Sequence, residues 1–242
     1  MSALHLVEFH LDQTALLRFL AAQGIGDTRH DPDLGYGVHA WLKAAFADLA
    51  PRPWRLLADR RRPPRVLAYS RHPAAVLVEQ MCRFAEPMVQ AVSPPEAIAG
   101  KAMPQWTSGQ ELGFQLLSCP VGRKARQGTE KDLFLLAAER APDERHDRAA
   151  IYVQAIRHQL QAGGVVEVDR LWLEGFRRVH QLRKTQGPMG ERAPVHLERP
   201  EALIGGVLRI VDPDGFGLLL ANGIGRHRAF GYGMLLLKPP GR

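Results

Sequence analysis

Cysteine is scarce in this sequence, and no long apolar segment is present. The two cysteines, Cys82 and Cys119, show no CxxC or Cys/His zinc spacing, so neither a disulfide framework nor a zinc site is indicated. No apolar run approaches the roughly 18 residues that a membrane-spanning helix needs. The first residues, MSALHLVEFHLDQ, are too polar for a signal peptide. We therefore expect a cytoplasmic protein with no membrane partner, metal site or cofactor.

Aromatic residues are also few, at 7% of the chain. The sequence lacks the aromatic strand with which an RNA-recognition module stacks bases. It has no helix-turn-helix or zinc pattern for DNA binding, and no cofactor loop after an early strand, as a methyltransferase would need. An RNA partner would therefore be recognised by shape and backbone rather than by stacked bases.

Positive charge, in contrast, is abundant. The 32 Lys and Arg residues exceed the 25 Asp and Glu residues, which gives a formal net charge of +7. Such a surplus favours a polyanionic partner, because clustered cations release counterions from phosphates on binding. A merely basic protein has the same composition, so charge alone leaves both interpretations open.

Hydrophobic periodicity predicts a first βαββαβ pattern. Its elements are a strand at Ala3–Leu11, a helix at Thr14–Ala22, a loop at Asp27–Gly35, a helix at Gly37–Leu49, strands at Trp54–Ala58 and Arg65–Ser70, and a helix at Pro73–Phe84. Residues 93–110 mix Pro, Gly and polar residues, which indicates a domain junction.

A second βαββαβ pattern follows the junction. Its elements are a strand at Glu111–Cys119, an edge strand at Lys131–Ala138, a helix at Asp143–Ala162, strands at Val165–Phe176, Val195–Leu197 and Leu203–Val211, a helix at Pro213–Asn222 and a strand at Tyr232–Leu237. We therefore predict an α+β protein of two tandem ferredoxin-like (RRM-like) domains, residues 1–95 and 110–242.

The strongest local signal is the segment GIGRHRAFGYG, here called the glycine-rich loop, Gly223–Gly233. Glycines at this density allow close backbone approach and expose N–H groups, which suits a phosphate. A dinucleotide-binding loop would open a helix, but this loop ends a helix and enters a strand. Either it is a structural helix stop, or it binds a phosphate of a polyanionic partner through Gly223, Gly225, Arg226, His227 and Gly231.

The sequence GIGRHRAFGYGMLLL resembles the C-terminal glycine-rich loop of the CRISPR repeat-RNA endoribonucleases, and is most similar to the CasE type. Three other stretches agree with that family in order. They are LGFQLLSCPVGR at Leu112–Arg123, LIGGVLRIVD at Leu203–Asp212, and the Tyr36-Gly-Val-His39 pair at the head of a helix. The resemblance covers most of the chain, and the glycine-rich loop is its specific part.

The resemblance implies metal-independent RNA cleavage, in which a 2′-hydroxyl attacks the adjacent phosphate to leave a 2′,3′-cyclic phosphate. This chemistry needs proton transfer and positive charge. His39 is the leading acid/base candidate, because histidine titrates near neutral pH. Tyr36, one helical turn away, could orient the 2′-hydroxyl or the phosphate, and Arg228 stands where the family has a loop cation. A surface histidine without function is the alternative for His39.

The stretch before Tyr36 is longer than the family pattern, and it contains Arg29 and His30. These two residues could instead supply the active-site charge, since some family members work without a histidine. Catalysis by arginine alone would be slow, which is acceptable if the product is never released.

Further basic clusters fit an RNA hairpin, because slender basic loops suit an A-form stem. One cluster comprises Arg177, Arg178, Arg183, Lys184 and Arg192, and a second comprises Arg123, Lys124 and Arg126. A run of arginines from 60 to 65 is equally compatible with a solvated hairpin tip.

The resemblance therefore implies an enzyme that cleaves CRISPR precursor RNA at the base of the repeat hairpin. Its partners would be the crRNA hairpin and other subunits of a CRISPR effector complex, of type I or type IV. Two alternatives stay open: a subunit that only caps the hairpin, and an unrelated basic RNA-binding protein.

Overall fold

The computed structural model describes residues 3–25, 34–59, 62–123, 129–186 and 192–240, with the backbone alone for 59, 181–186 and 192–196. The chain divides into two compact units. Unit 1 comprises Met1–Pro104, His180–Leu197 and Ala229–Gly231, and unit 2 comprises Gln105–Val179, Glu198–Arg228 and Tyr232–Arg242.

Unit 1 contains a four-stranded antiparallel sheet with helices in its crossovers. The strands are β1 (His5–His10), β2 (Trp54–Asp59), β3 (Arg62–Ser70) and β4 (Ile98–Ala102), and the helices are α1 (Gln13–Ala22), α2 (Leu34–Phe46), α3 (Ala74–Phe84) and α4 (Pro87–Val92). The sheet order β2-β3-β1-β4 is that of a ferredoxin-like fold.

Apolar packing on one face of α2 organises the core of unit 1. Trp41 and Phe46 are fully buried against Phe9 of β1, with ring centroids 5.5 and 5.4 Å from it. Each such burial contributes about 1.5–3 kcal/mol. The Trp41 indole N–H donates to the Val89 carbonyl at 3.0 Å, which also ties α2 to α4. The position of α2 is therefore fixed over most of its length.

Unit 2 repeats the topology with different helices. Its strands are β5 (Glu111–Ser118), β6 (Val121–Arg123), β7 (Glu130–Asp132), β8 (Val166–Gln186, of which unit 2 includes the part up to Val179), β9 (Arg192–Ile210, of which unit 2 includes the part from Glu198) and β10 (Leu235–Lys238), and its helices are α5 (Leu133–Arg140), α6 (Arg148–Gln161) and α7 (Pro213–Asn222). The main sheet has the order β10-β5-β9-β8, and β6 pairs with β7. The predicted α+β class with two ferredoxin-like halves is confirmed.

Two secondary-structure predictions are wrong. Most of Lys131–Ala138, predicted as an edge strand, belongs to helix α5, because Asp132 caps it by accepting from the Phe134 N–H at 2.8 Å. The basic connection predicted after Phe176 is instead extended chain of β8 and β9. Strand β4 lies inside the predicted 93–110 junction; its exposed Ala, Gly and Lys residues carry no strand signal.

No helix in the described ranges combines the length and the apolar character that crossing a membrane would require.

Candidate functional site

The glycine-rich loop closes on itself at its neck. The Ile224 N–H donates to the Gly233 carbonyl at 2.9 Å, and the Gly233 N–H donates to Leu117 of β5 at 2.8 Å. Gly233 has φ +82°, and a Cβ there would lie 2.3 Å from the Ile224 carbonyl oxygen. Only glycine fits this close approach, so the neck holds both ends of the loop beside the sheet of unit 2.

Two of the predicted RNA-binding residues of this loop pair with a carboxylate. Arg226 Nη1 lies 3.0 Å from Glu130 Oε1, and His227 Nε2 lies 2.9 Å from Glu130 Oε2. Arg199 of β9 adds a third cation, with its Nη2 3.1 Å from Oε2. Burial alone would raise the pKa of Glu130, but His227, Arg199 and the hydrogen bonds outweigh burial and lower it. Glu130 is therefore ionised at neutral pH.

Arg228 differs from these two neighbours. Its guanidinium is exposed and donates to the Asn222 carbonyl at 2.6 Å. Among the described residues Arg228 has no carboxylate partner, so its positive charge is not neutralised. Of the described loop cations, Arg228 is thus the one best suited to a phosphate.

His39 and Tyr36 lie one turn apart on α2, and both contact Phe230, which belongs to unit 1. The Tyr36 and Phe230 rings stack with centroids 6.1 Å apart and planes 13° apart. The His39 ring meets the same phenyl ring edge-on at 5.4 Å. Both candidate catalytic side chains therefore lie on one face of α2.

Trp54 holds the segment around Phe230 in unit 1. Its indole N–H donates to the Ala229 carbonyl at 3.2 Å. A Cβ on Gly231, which has φ +89°, would lie 2.8 Å from the Trp54 ring. Gly231 therefore allows the backbone to pack flat on the indole.

The pKa of His39 is lowered from its ordinary value of 6.5, first because the ring is partly buried and second because Lys43 lies one turn further along α2. A lowered pKa keeps the imidazole neutral at pH 7. A neutral imidazole can accept a proton, which is what attack by a hydroxyl requires.

The structure describes only some of the basic residues that were predicted to bind the RNA hairpin. Arg177 forms an ion pair with Glu201, and Arg178 Nη1 lies 3.5 Å from Glu198 Oε1. Arg123 is exposed at the end of β6. Arg183, Lys184 and Arg192 lie in β8 and β9, where their side chains are not described. Arg29, His30, Lys124 and Arg126 lie outside the described residues.

The acidic partners of these cations are not visible in the sequence. Besides Glu130 they include Glu201, which accepts from the Tyr232 hydroxyl at 3.0 Å. These charges also lie near the buried thiol of Cys119. Burial is the main reason that the pKa of Cys119 rises to about 12, so the thiol is no nucleophile. No sequence signal connects residues so far apart in the chain.

A family model described as CRISPR associated protein matches residues 4–239. Among solved structures, the CRISPR endoribonuclease Cse3 bound to a 19-nucleotide RNA is 21% identical, with TM-score 0.63, 97% of this chain covered and 100% of that one. Thermus thermophilus Cse3, bound to an RNA representing a pre-cleavage complex, is 22% identical, with TM-score 0.58 and coverage of 98% and 100%.

A third match is Cas6e from Escherichia coli K-12, at 16% identity and TM-score 0.50, with coverage of 98% and 100%. Identities this low show a shared fold alone. No curated protein sequence matches this chain.

Proposed function

Because the chain belongs to the CRISPR-associated protein family, we propose that it is a metal-independent endoribonuclease that cleaves CRISPR precursor RNA at the base of the repeat hairpin. The cleaved crRNA stays bound, and the protein works as a subunit of an effector complex. In support, the relatives that share its fold include endoribonucleases bound to RNA.

The observation that carries the proposal is the environment of His39. It is a half-buried histidine with a lowered pKa, it shares one helix face with Tyr36, and both rings contact Phe230. A fully solvated histidine on a helix surface would have neither the burial nor the aromatic contact.

In the reaction, the 2′-hydroxyl upstream of the cut gives its proton to the neutral His39 imidazole. The oxygen attacks the adjacent phosphorus, the new P–O2′ bond closes a 2′,3′-cyclic phosphate, and the P–O5′ bond breaks. The departing 5′-oxygen takes up a proton from water and becomes a hydroxyl. General base catalysis of this kind contributes about 10²- to 10⁴-fold to the rate.

The proposal also assigns a role to Tyr36 and a role to Arg228. The Tyr36 hydroxyl donates a hydrogen bond to the phosphate or orients the 2′-hydroxyl. Arg228 offsets the negative charge that accumulates on the phosphate during attack, and donors aimed at such charge are often the largest contribution to catalysis. Arg177 and Arg178 at the base of the β8–β9 hairpin contact the RNA stem through their exposed guanidinium groups.

The test is cleavage of a GC-stemmed repeat hairpin RNA in EDTA, beside the same RNA with a single 2′-deoxynucleotide upstream of the cut. The proposal expects the all-ribose RNA to yield a 2′,3′-cyclic phosphate end, while the deoxy RNA is bound equally tightly and stays intact. Cleavage of the deoxy RNA would exclude 2′-hydroxyl attack. Binding of both RNAs without any cleavage would instead indicate a hairpin-capping subunit, and no binding would overturn the proposal entirely.

A further inference from the structure

Glu130, at the start of β7, is a carboxylate that both Arg226 and His227 contact. Its side chain is only 9% exposed. Arg226 donates to one carboxylate oxygen at 3.0 Å and His227 to the other at 2.9 Å. A single acidic side chain therefore links β7 to two consecutive residues of the glycine-rich loop.

Arg199 holds Glu130 from the central sheet of unit 2. Its side chain is 7% exposed, and its Nη2 lies 3.1 Å from the carboxylate. Its Nη1 also donates to the Glu130 backbone carbonyl at 3.2 Å. Because Arg199 contacts both the side chain and the backbone, Glu130 has a fixed position from which to hold the loop.

The loop needs such support at His227. This residue has φ +59°, a left-handed conformation that residues other than glycine rarely adopt. A backbone of this kind persists only where its surroundings hold it. The His227 side chain is only 15% exposed, whereas that of Arg226 is 47% exposed. The contact between His227 and Glu130 thus acts where the loop backbone is least favourable.

We propose that Glu130 is a positioning residue that holds the glycine-rich loop in its RNA-binding conformation before the RNA arrives. This inference rests on the proposed function. Arg226 and His227 then act through the shape of the loop, while Arg228 and the loop N–H groups contact phosphates. A loop that is already ordered loses less entropy when it binds its ligand.

The proposal predicts that removing the Glu130 carboxylate weakens RNA binding. The change in net charge alone predicts the opposite. Removing a carboxylate beside a phosphate-binding loop raises the net positive charge, which by itself strengthens RNA binding. Loss of a positioning residue weakens binding in spite of the added charge. The direction of the change in Kd therefore distinguishes the two explanations.

The experiment compares full-length wild type, Glu130→Gln and Glu130→Asp, using the 2′-deoxy hairpin RNA over a range of salt concentrations. Glu79→Gln is the matched control, since it changes the net charge equally. Glu79 is exposed on α3 and pairs only one turn away, with Arg83 at 2.8 Å.

We expect Glu130→Gln to raise Kd by about tenfold without changing the salt dependence, because loop order is lost and no phosphate contact is removed. Glu130→Asp keeps a carboxylate and should recover part of the affinity. Glu79→Gln should change Kd by less than about twofold, as expected of an exposed pair.

Binding by Glu130→Gln that equals or exceeds that of a binding-competent wild type would overturn the inference and leave the proposed function intact. A wild type that does not bind the hairpin would overturn both. If Glu130→Gln does not fold, the affinity and salt dependence of the double variant Arg226→Gln/His227→Gln are measured instead. An unchanged salt slope with weaker binding supports positioning, and a slope reduced by about one per residue overturns it.

Discussion

The two ferredoxin-like units share a strand order but differ in the charged side chains that they bury. Among the described residues, unit 1 buries one charged side chain, Arg55, within a large apolar core, whereas unit 2 buries Asp132, Arg199 and Glu201. In unit 1, apolar packing fixes one helix and partly desolvates the single histidine that we propose as the base. In unit 2, buried charges connect strands to the loop and hairpin that we propose to bind RNA.

The largest expected effect comes from removing one of these buried charges, that of Asp132. Asp132 accepts from Arg148 Nη1 at 2.8 Å and from the Tyr152 hydroxyl at 2.7 Å. Asp132→Ala leaves the Arg148 charge without its partner, which should lower the unfolding free energy of unit 2 by about 3–5 kcal/mol. Amide hydrogen exchange in α6 during urea unfolding measures this loss.

The exposed pair of Glu111 and Arg209, 2.9 Å apart in the same unit, provides the control for that comparison. Glu111→Ala should cost less than about 1 kcal/mol, because solvent screens the pair. Equal losses in the two variants would show that the buried charges of unit 2 do not stabilise it more than surface pairs do.

The next effect tests the closed neck of the glycine-rich loop. Gly233→Ala places a Cβ against the Ile224 carbonyl at a positive φ, which should cost about 1–3 kcal/mol and weaken hairpin binding. Gly217→Ala in α7 is the matched control, because a Cβ there meets nothing within 4 Å. It should stabilise α7 by about 0.5–1 kcal/mol, as thermal melting can show. Equal melting temperatures would contradict the tight neck.

A smaller expected effect, on the salt dependence of RNA binding, distinguishes the roles of Arg226 and Arg228. Arg228→Gln should reduce the slope of log Kd against log salt by about one, since it removes one phosphate contact. Arg226→Gln should leave the slope unchanged, because Glu130 already neutralises Arg226. The opposite pattern in a binding titration would exchange the roles of the two residues.

The smallest effect concerns pH. The rate should fall as His39 is protonated, but its lowered pKa moves this fall below pH 6.5. Between pH 7 and 6 the single-turnover rate should therefore drop by less than the roughly threefold expected of an unshifted imidazole. Lys43→Gln removes a nearby positive charge and should shift the fall to higher pH. A fall that Lys43→Gln does not move would indicate a different titrating group.

Local signals predicted much of the fold. Asp212 and Pro213 give the start of α7 correctly, because a capping carboxylate and a first-turn proline act within a few residues. The spacing of Val38, Trp41 and Phe46 likewise placed α2. The apolar run Leu133–Leu136 was ambiguous, since a short run fits either a strand or a helix, and the Asp132 cap decides for the helix.

The candidate site was less predictable. The Tyr36 and His39 pair was found through its resemblance to a family, but neither the burial of His39 nor its contact with Phe230 is visible in the sequence. Glu130 pairs with residues 69 and 97 positions away. Contacts at such separations arise only when the sheet has formed, so the cations were identified without their carboxylate.

The most direct test of the account is single-turnover cleavage by His39→Ala in EDTA, with hairpin affinity measured on the same preparation. His158→Ala, which removes an exposed histidine from α6, is the matched control. The account predicts that His39→Ala cleaves about 10²- to 10⁴-fold more slowly while its Kd stays within about twofold of wild type, and that His158→Ala behaves as wild type. Cleavage by His39→Ala at the wild-type rate would contradict the account.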